Sequence, residues 1–168
     1  MIILGVYNKH PHTATSYNNI GCVQQALEDY TSALQSRQRA LEIRRKTLGE
    51  NHPGTAASYN NIGCTQQYLG DYTSALQSFQ RALEIRRKTV VENHPDTAAT
   101  YNNIGCTQYK LGDYTSALQS HQRALEIRRK TLGENHSGTA ASYDIVRYIL
   151  HKLGDYTSAS SSLTPAST

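Results

Sequence analysis

Two adjacent asparagines recur in this protein, at Asn18 and Asn19, at Asn60 and Asn61, and at Asn102 and Asn103, each time inside the stretch "YNNIGC". An asparagine amide carries a donor and an acceptor side by side. It can therefore hold the peptide bond of an extended ligand through both groups without reading that ligand's sequence. Asparagine is also a poor helix former, about 0.6 kcal/mol worse than alanine, because its side chain competes with the backbone. Two together in mid-helix call for a reason. A second reading stands beside the clamp: one asparagine of each pair faces solvent while the other bonds a neighbouring helix. Recurrence does not choose between them, since the copies are nearly identical and duplicate every residue together.

Other reactive side chains recur with the same regularity. Cys22, Cys64 and Cys106 never form a C-x-x-C pair, so neither a disulfide framework nor a zinc site is expected, and a small packing residue is. His10, His52, His94 and His136 stand a full repeat apart, too far for a shared metal, and belong to turns. The clusters Arg44, Arg45 and Lys46, Arg86, Arg87 and Lys88, and Arg128, Arg129 and Lys130 fall near helix ends. Cations there complement the helix dipole by about 0.3–1 kcal/mol each. Stacked copies would also align them as a ridge attractive to acidic peptides. No nucleophile, base and orienting group assemble, and no Gly-rich phosphate loop occurs, so neither catalysis nor a cofactor is expected.

These residues ride on a duplication. Tyr17, Tyr59, Tyr101 and Tyr143 stand 42 residues apart, a period in the range of helical solenoids. Each copy has two apolar-periodic segments, roughly Thr55 to Leu69 and Tyr72 to Thr89 in the second copy. "LGDY" separates them, with Gly70 able to close one helix in the left-handed conformation and Asp71 able to cap the next. Tyr72, Ala75, Leu76, Phe79, Ala82 and Leu83 share one helix face. Pro95 would stop one helix and open another. Gly21, Gly63 and Gly105 lie inside first helices, where glycine costs about 0.5–1 kcal/mol, so something must approach closely there. Ala33, Ala75 and Ala117, with Ala40, Ala82 and Ala124, offer matching low ground on the second helices. No strand is expected.

At Tyr59, Ile62 with Gly63, Gly70 with Tyr72 and Ala75, and then Ala82, the sequence resembles the tetratricopeptide repeat family. The resemblance covers about residues 10 to 160. The familiar repeat is about 34 residues long, and the extension "IRRKTLGE" makes this one similar to the arrays of kinesin light chains, nephrocystin-3-like proteins and nucleotide-binding sensors. It implies an all-α, right-handed superhelical solenoid of antiparallel helix pairs, with three full repeats and a degenerate fourth. First helices would line a concave groove. Asn19, Asn61 and Asn103 fall where related repeats hold a peptide backbone, with Asn18, Asn60 and Asn102 beside them. HEAT and armadillo arrays are the competing architecture.

Differences between copies are more informative than their agreement. They fall at Ala26, Tyr68 and Lys110, at Gln25, Gln67 and Tyr109, and at Arg37, Phe79 and His121. The first two sets map to groove-lining positions, so Tyr68, Tyr109 and Lys110 are candidates for selectivity, although drift would produce the same pattern. The third lies at a packing position, where Phe79 fits and Arg37 and His121 look compromised. Glu28 stands where Gly70 and Gly112 stand later, which predicts a strained turn.

In the fourth copy "YNNIGC" becomes "YDIVRY", and Arg147 replaces the close-packing glycine. A first helix from about Thr139 to Leu153 is expected, with little of a second. The boundaries read as a remnant of a preceding repeat over 1–12, repeats over 13–54, 55–96 and 97–138, a degenerate capping repeat over 139–159, and a disordered Ser-rich tail over 160–168. A piece of a longer array fits these ends.

Composition sets outer limits. The protein has 168 residues, no Trp, one Phe and twelve Tyr, and a formal charge of +4 that comes mainly from the "RRK" clusters. No apolar run is long enough for a membrane span, and a cytoplasmic, reduced setting is the plain expectation. Nucleic acid is not expected as a partner, since no platform of stacking aromatics accompanies the basic clusters. A protein or peptide partner, with acidic residues where it meets the ridge, is. The remaining alternatives are the recognition arm of a larger nucleotide-binding sensor and a purely structural or oligomerising array.

Overall fold

The computed structural model describes residues 11–89 and 93–162. The molecule divides into two units, Met1–Glu92 and Asn93–Thr168. The first holds α1 (Pro11–Ala26), α2 (Tyr30–Leu48), α3 (Pro53–Tyr68) and α4 (Tyr72–Thr89); the second holds α5 (Pro95–Lys110), α6 (Tyr114–Leu132) and α7 (Ser137–Ser162). Among the described residues there is no strand. Helices pack in sequence order, α1 on α2, α2 on α3 and α3 on α4 in one unit, α5 on α6 and α6 on α7 in the other. Short connections make each successive pair antiparallel.

Local chemistry fixes where the helices start. Asp29, Asp71 and Asp113 accept a hydrogen bond from the amides of Ser32, Ser74 and Ser116, each at 3.0 Å. These bonds satisfy amides that a helix start leaves open. The histidines of the inter-repeat turns do the same for the first helices. Nδ1 of His52, His94 and His136 accepts from the amides of Gly54, Asp96 and Gly138 at 2.9, 3.1 and 3.0 Å. Pro53 and Pro95 follow at the first helical turn, where a missing N–H removes nothing.

The turn within each pair needs a left-handed residue. Gly70 and Gly112 supply φ of 77° and 83°, and Glu28 adopts φ 61° in the first copy, so the expected strain of about 1 kcal/mol is present there.

The helical glycines do admit a close neighbour, and at Gly21 the Ala33 carbonyl, 3.2 Å from an added Cβ, is part of the backbone approach the sequence pointed to. The six alanines are buried to 0–1% exposure, yet the nearest groups to the glycines are the side chains at the divergent packing position. A Cβ on Gly63 would lie 2.7 Å from Phe79, on Gly105 2.6 Å from His121, and on Gly21 3.0 Å from Arg37. Each pair is thus closed by one large side chain laid over a glycine. Arg37 and His121, expected to be compromised there, are buried to 6% and 3% exposure. The Arg37 head finds oxygens on α3, and burial, reinforced by the Arg128 charge, pushes the His121 pKa down so that its ring is neutral. A polar staple joins the two helices of every pair: Ser36, Ser78 and Ser120 donate to Gln24, Gln66 and Gln108, each at 2.7 Å.

The fourth copy departs from expectation. Where "LGDY" turns at Gly70 and Gly112, the same letters at Leu153 to Tyr156 continue as helix, and α7 runs unbroken for 26 residues. The helix expected to end near Leu153 reaches Ser162. Arg147, which stands where the earlier copies have the glycine, is exposed and bonds Asp144 at 3.0 Å. Ala140, equivalent to the buried Ala56 and Ala98, is exposed. Of the expected tail, residues 163–168 lie outside the described residues, as do residues 1–10 of the expected remnant.

Candidate functional site

In the first unit the asparagines of α1 and α3 meet. Asn61 Nδ2 donates to Asn18 Oδ1 at 2.8 Å, and both side chains are half-buried. The bond uses one donor and one acceptor, leaving Asn18 Nδ2 and Asn61 Oδ1 without partners among the described residues. Reversing both amides exchanges which residue offers which group. The pair keeps one donor and one acceptor either way. Asn60 turns its amide back along α3 to Cys64 Sγ at 4.0 Å, and Asn19 is exposed. The stack-bonding role and the ligand-facing role therefore coincide in Asn18 and Asn61.

In the second unit Asn102 approaches Cys106 Sγ at 3.9 Å, and Asn103 is half-buried on α5. Desolvation pushes the Cys64 and Cys106 thiols up, which keeps them protonated; Cys64 is half-buried, as the expected packing role requires, whereas Cys22 and Cys106 are exposed.

The divergent tyrosines sit in aromatic contacts. Tyr68 is 60% exposed, and its ring stacks on Tyr30 with centroids 5.2 Å apart and planes 7° from parallel. Tyr109 meets Tyr114 edge-on at 5.1 Å and Tyr148 at 6.0 Å. The Tyr109 and Tyr148 hydroxyls lie 3.2 Å apart, and this bond pushes the Tyr109 pKa up to about 12. Lys110 is exposed, and Lys152 lies 5.9 Å over the Tyr148 ring. Tyr148 was legible only as a departure from the repeat. Its role as the partner of Tyr109 follows from α7 packing beside α6.

The basic clusters divide by position. The first arginine ties neighbouring helices: Arg44 donates to Gly54 O at 3.2 Å and Ser58 Oγ at 2.8 Å, and Arg128 to Ser142 Oγ at 2.6 Å. Arg86 is buried. The second arginine pairs with a turn glutamate in two copies, Arg45 with Glu50 and Arg129 with Glu134, each at 2.5 Å, while Arg87 is exposed. The lysines Lys46, Lys88 and Lys130 pair within their helices with Glu42, Glu84 and Glu126 at 2.6, 2.7 and 2.8 Å. In the first and third copies all three cations of the cluster thus have partners in the fold, and in the second Lys88 is paired while Arg87 is exposed.

Arg37 is the site residue that the sequence pattern assigned to packing alone. From α2 its Nη1 donates to Asn61 O at 2.7 Å and to Thr65 Oγ1, while Nη2 approaches Cys22 Sγ on α1 at 3.9 Å. It links three helices directly behind the Asn18–Asn61 pair.

Among the described residues no group of three or more His, Cys, Asp and Glu could hold a metal, and no helix is long and apolar enough to cross a membrane.

A family model described as tetratricopeptide repeat matches residues 12–88, 66–130 and 96–164. The chain belongs to the tetratricopeptide repeat family. Solved repeat proteins share its fold. The nearly identical TPR-like repeats of a Podosopora anserina protein assigned as a kinesin light chain superpose with a TM-score of 0.79 at 22% identity, covering 90% of this chain and 72% of that one. BtubC (BKLC) from P. vanneervenii gives 0.78 at 22%, over 92% of this chain and 62% of that one. The first TPR of Spaghetti (RPAP3), solved with the HSP90 peptide SRMEEVD, gives 0.65 at 14%, over 86% and 96%. At these identities the likeness is one of fold. The chain spans 62% of BtubC, less than two thirds of its length. A search of curated proteins gave no match. As a tetratricopeptide repeat array the protein is a protein-interaction module.

Proposed function

We propose that the array binds an extended segment of another protein along the faces of its first helices, as a scaffold or adaptor, with asparagine pairs holding the segment's backbone. The observation that carries this is the Asn18–Asn61 bond, which leaves one donor and one acceptor on adjacent helices. A peptide unit presents the complement, a C=O and an N–H. Two helices thus offer together what a single asparagine amide offers alone, with less freedom to lose on binding because the first bond already fixes both side chains. Asn19 and Asn60 carry the same chemistry on α1 and α3 of the first unit, and Asn102 and Asn103 carry it on α5 of the second. Tyr68 in the first unit and Tyr109 with Lys110 in the second supply copy-specific surface, and the exposed cations of the "RRK" clusters favour acidic flanks.

The peptide-bound neighbour supports the reading at the level of fold, since a tetratricopeptide repeat there holds a short peptide. A display library of extended peptides panned on the full-length protein tests it. The recovered peptide is then titrated against Asn18→Ala with Asn61→Ala. We expect affinity to fall at least tenfold, about 1.4 kcal/mol, with helicity unchanged. Unchanged affinity in the folded double variant would remove the clamp.

A further inference from the structure

One cysteine of the repeat stands in three different settings. Cys64 and Cys106 are each approached by the amide of the asparagine one turn earlier, Asn60 at 4.0 Å and Asn102 at 3.9 Å, and desolvation pushes both thiols up. At Cys22 the arrangement changes. Asn18, the equivalent of Asn60, is bonded to Asn61 instead, and the donor that reaches the sulfur is a cation, Arg37 Nη2 at 3.9 Å. Cys22 itself is exposed.

Arg37 has no counter-charge. It is 6% exposed, and none of the described carboxylates pairs with it. A guanidinium keeps its proton in a protein, so the charge persists in a closed site, where an unmatched charge is expensive. Its donors are used unevenly. Nη1 is spent on α3, donating to Asn61 O at 2.7 Å and to Thr65 Oγ1. The edge formed by Nε and Nη2 faces α1. Nε is buried and has no acceptor, and it lies 3.4 Å from where a Cβ would stand on Gly21, the residue before Cys22. Nη2 has the Cys22 sulfur, a weak acceptor. That edge is the fork by which arginine takes two oxygens of one anion. Phe79 and His121, which close the equivalent glycines in the other copies, offer no such fork.

We propose that Cys22 is an oxidation site for hydroperoxides, at which the Nε–Nη2 edge of Arg37 receives the oxyanion formed on the sulfur. The Cys22 thiolate attacks one oxygen of hydrogen peroxide. The S–O bond forms, the O–O bond breaks, and the sulfur gives up two electrons. The departing hydroxide takes the proton of the new sulfenic acid, which leaves a sulfenate and water. A second peroxide converts the sulfenate to a sulfinate and water by the same exchange of bonds. Negative charge moves from sulfur to oxygen throughout, and a cation already fixed beside it stabilises that charge without rearrangement. Oxygen is the stronger acceptor, so the long contact to sulfur gives way to charge-assisted hydrogen bonds that also satisfy Nε. Oxidation thereby supplies the counter-charge that the fold leaves out.

The test treats the full-length protein with hydrogen peroxide and follows the three cysteine-containing peptides by mass spectrometry. A cyclic 1,3-diketone traps the sulfenate in one sample, and the sulfinate is read directly in another. Alkylation by iodoacetamide, whose product carries no charge, measures access to each sulfur under the same conditions. We expect the ratio of oxidation to alkylation to be about tenfold higher at Cys22 than at Cys64 or Cys106, as a nearby unit charge supplies at least that much of a barrier. Arg37→Gln should bring the Cys22 ratio down to that of the other two. Arg37→Phe, which copies the residue of the second repeat, provides the same comparison should the glutamine variant lose helicity. An equal ratio at all three cysteines of the native protein overturns the proposal. So does a Cys22 excess that survives in a folded Arg37 variant, since exposure alone would then account for it. Neither result depends on whether the array binds a peptide.

Discussion

Phe79 closes on Gly63 so tightly that a Cβ added to the glycine would meet the ring at 2.7 Å, and the ring is fully buried. Gly63→Ala should therefore destabilise the protein by about 1–3 kcal/mol through overpacking, more than the gain of about 1 kcal/mol from helix propensity. Urea denaturation reads the loss. Gly21→Ala should be milder, because the nearest atoms, Arg37 Cγ at 3.0 Å and the Ala33 carbonyl oxygen at 3.2 Å, lie farther from an added Cβ than the Phe79 ring does from Gly63. Adding Phe79→Leu should recover part of the Gly63→Ala loss.

Glu28 holds φ 61° in a turn where the later copies place glycine. Glu28→Gly should raise stability by about 1 kcal/mol, and Gly70→Ala should lower it by at least as much. Thermal melts of the two variants, run side by side, should move in opposite directions.

His121 gives the stability a pH dependence of known sign. Its folded pKa is lowered from the ordinary 6.5 by burial, and then by the Arg128 charge. A lowered value means the contribution is fully present above about 6.5 and is lost as pH falls through the folded value. Urea midpoints should drop between pH 7.5 and pH 5 on this account. His121→Phe, the residue of the second copy, should flatten that slope. The capping carboxylates Asp29, Asp71 and Asp113, all lowered by hydrogen bonds from serine, add a separate loss only in the acidic carboxyl range.

The "RRK" clusters should respond unequally to alanine. Arg44→Ala removes the bonds to Gly54 O and Ser58 Oγ that tie α2 to α3, and should cost about 1–3 kcal/mol. Lys46→Ala removes an exposed pair with Glu42 and should stay within about 0.5 kcal/mol. Circular dichroism melts distinguish the two.

By itself the sequence determined most of what acts within a few residues along the backbone in the first three copies. The helix pairs follow from apolar spacing, the turns from Gly70 and Gly112, the starts from Asp71 and Pro53, and the strain at Glu28 from the lack of a glycine there. The period made each reading three readings at once, and the family followed from it. Side-chain partners across helices were a different matter, because spacing gives a residue's face but not what lies opposite. The alanines were buried as expected, yet the glycines turned out to face Phe79, Arg37 and His121. The same letters that turn at Gly70 run on as helix at Gly154, so those letters alone do not decide the turn. Only the packing of α1, α2 and α3 brought Asn18 to Asn61, 43 positions apart, and placed an unmatched guanidinium behind them. Burial and charge balance are sums over neighbours that the tertiary structure selects.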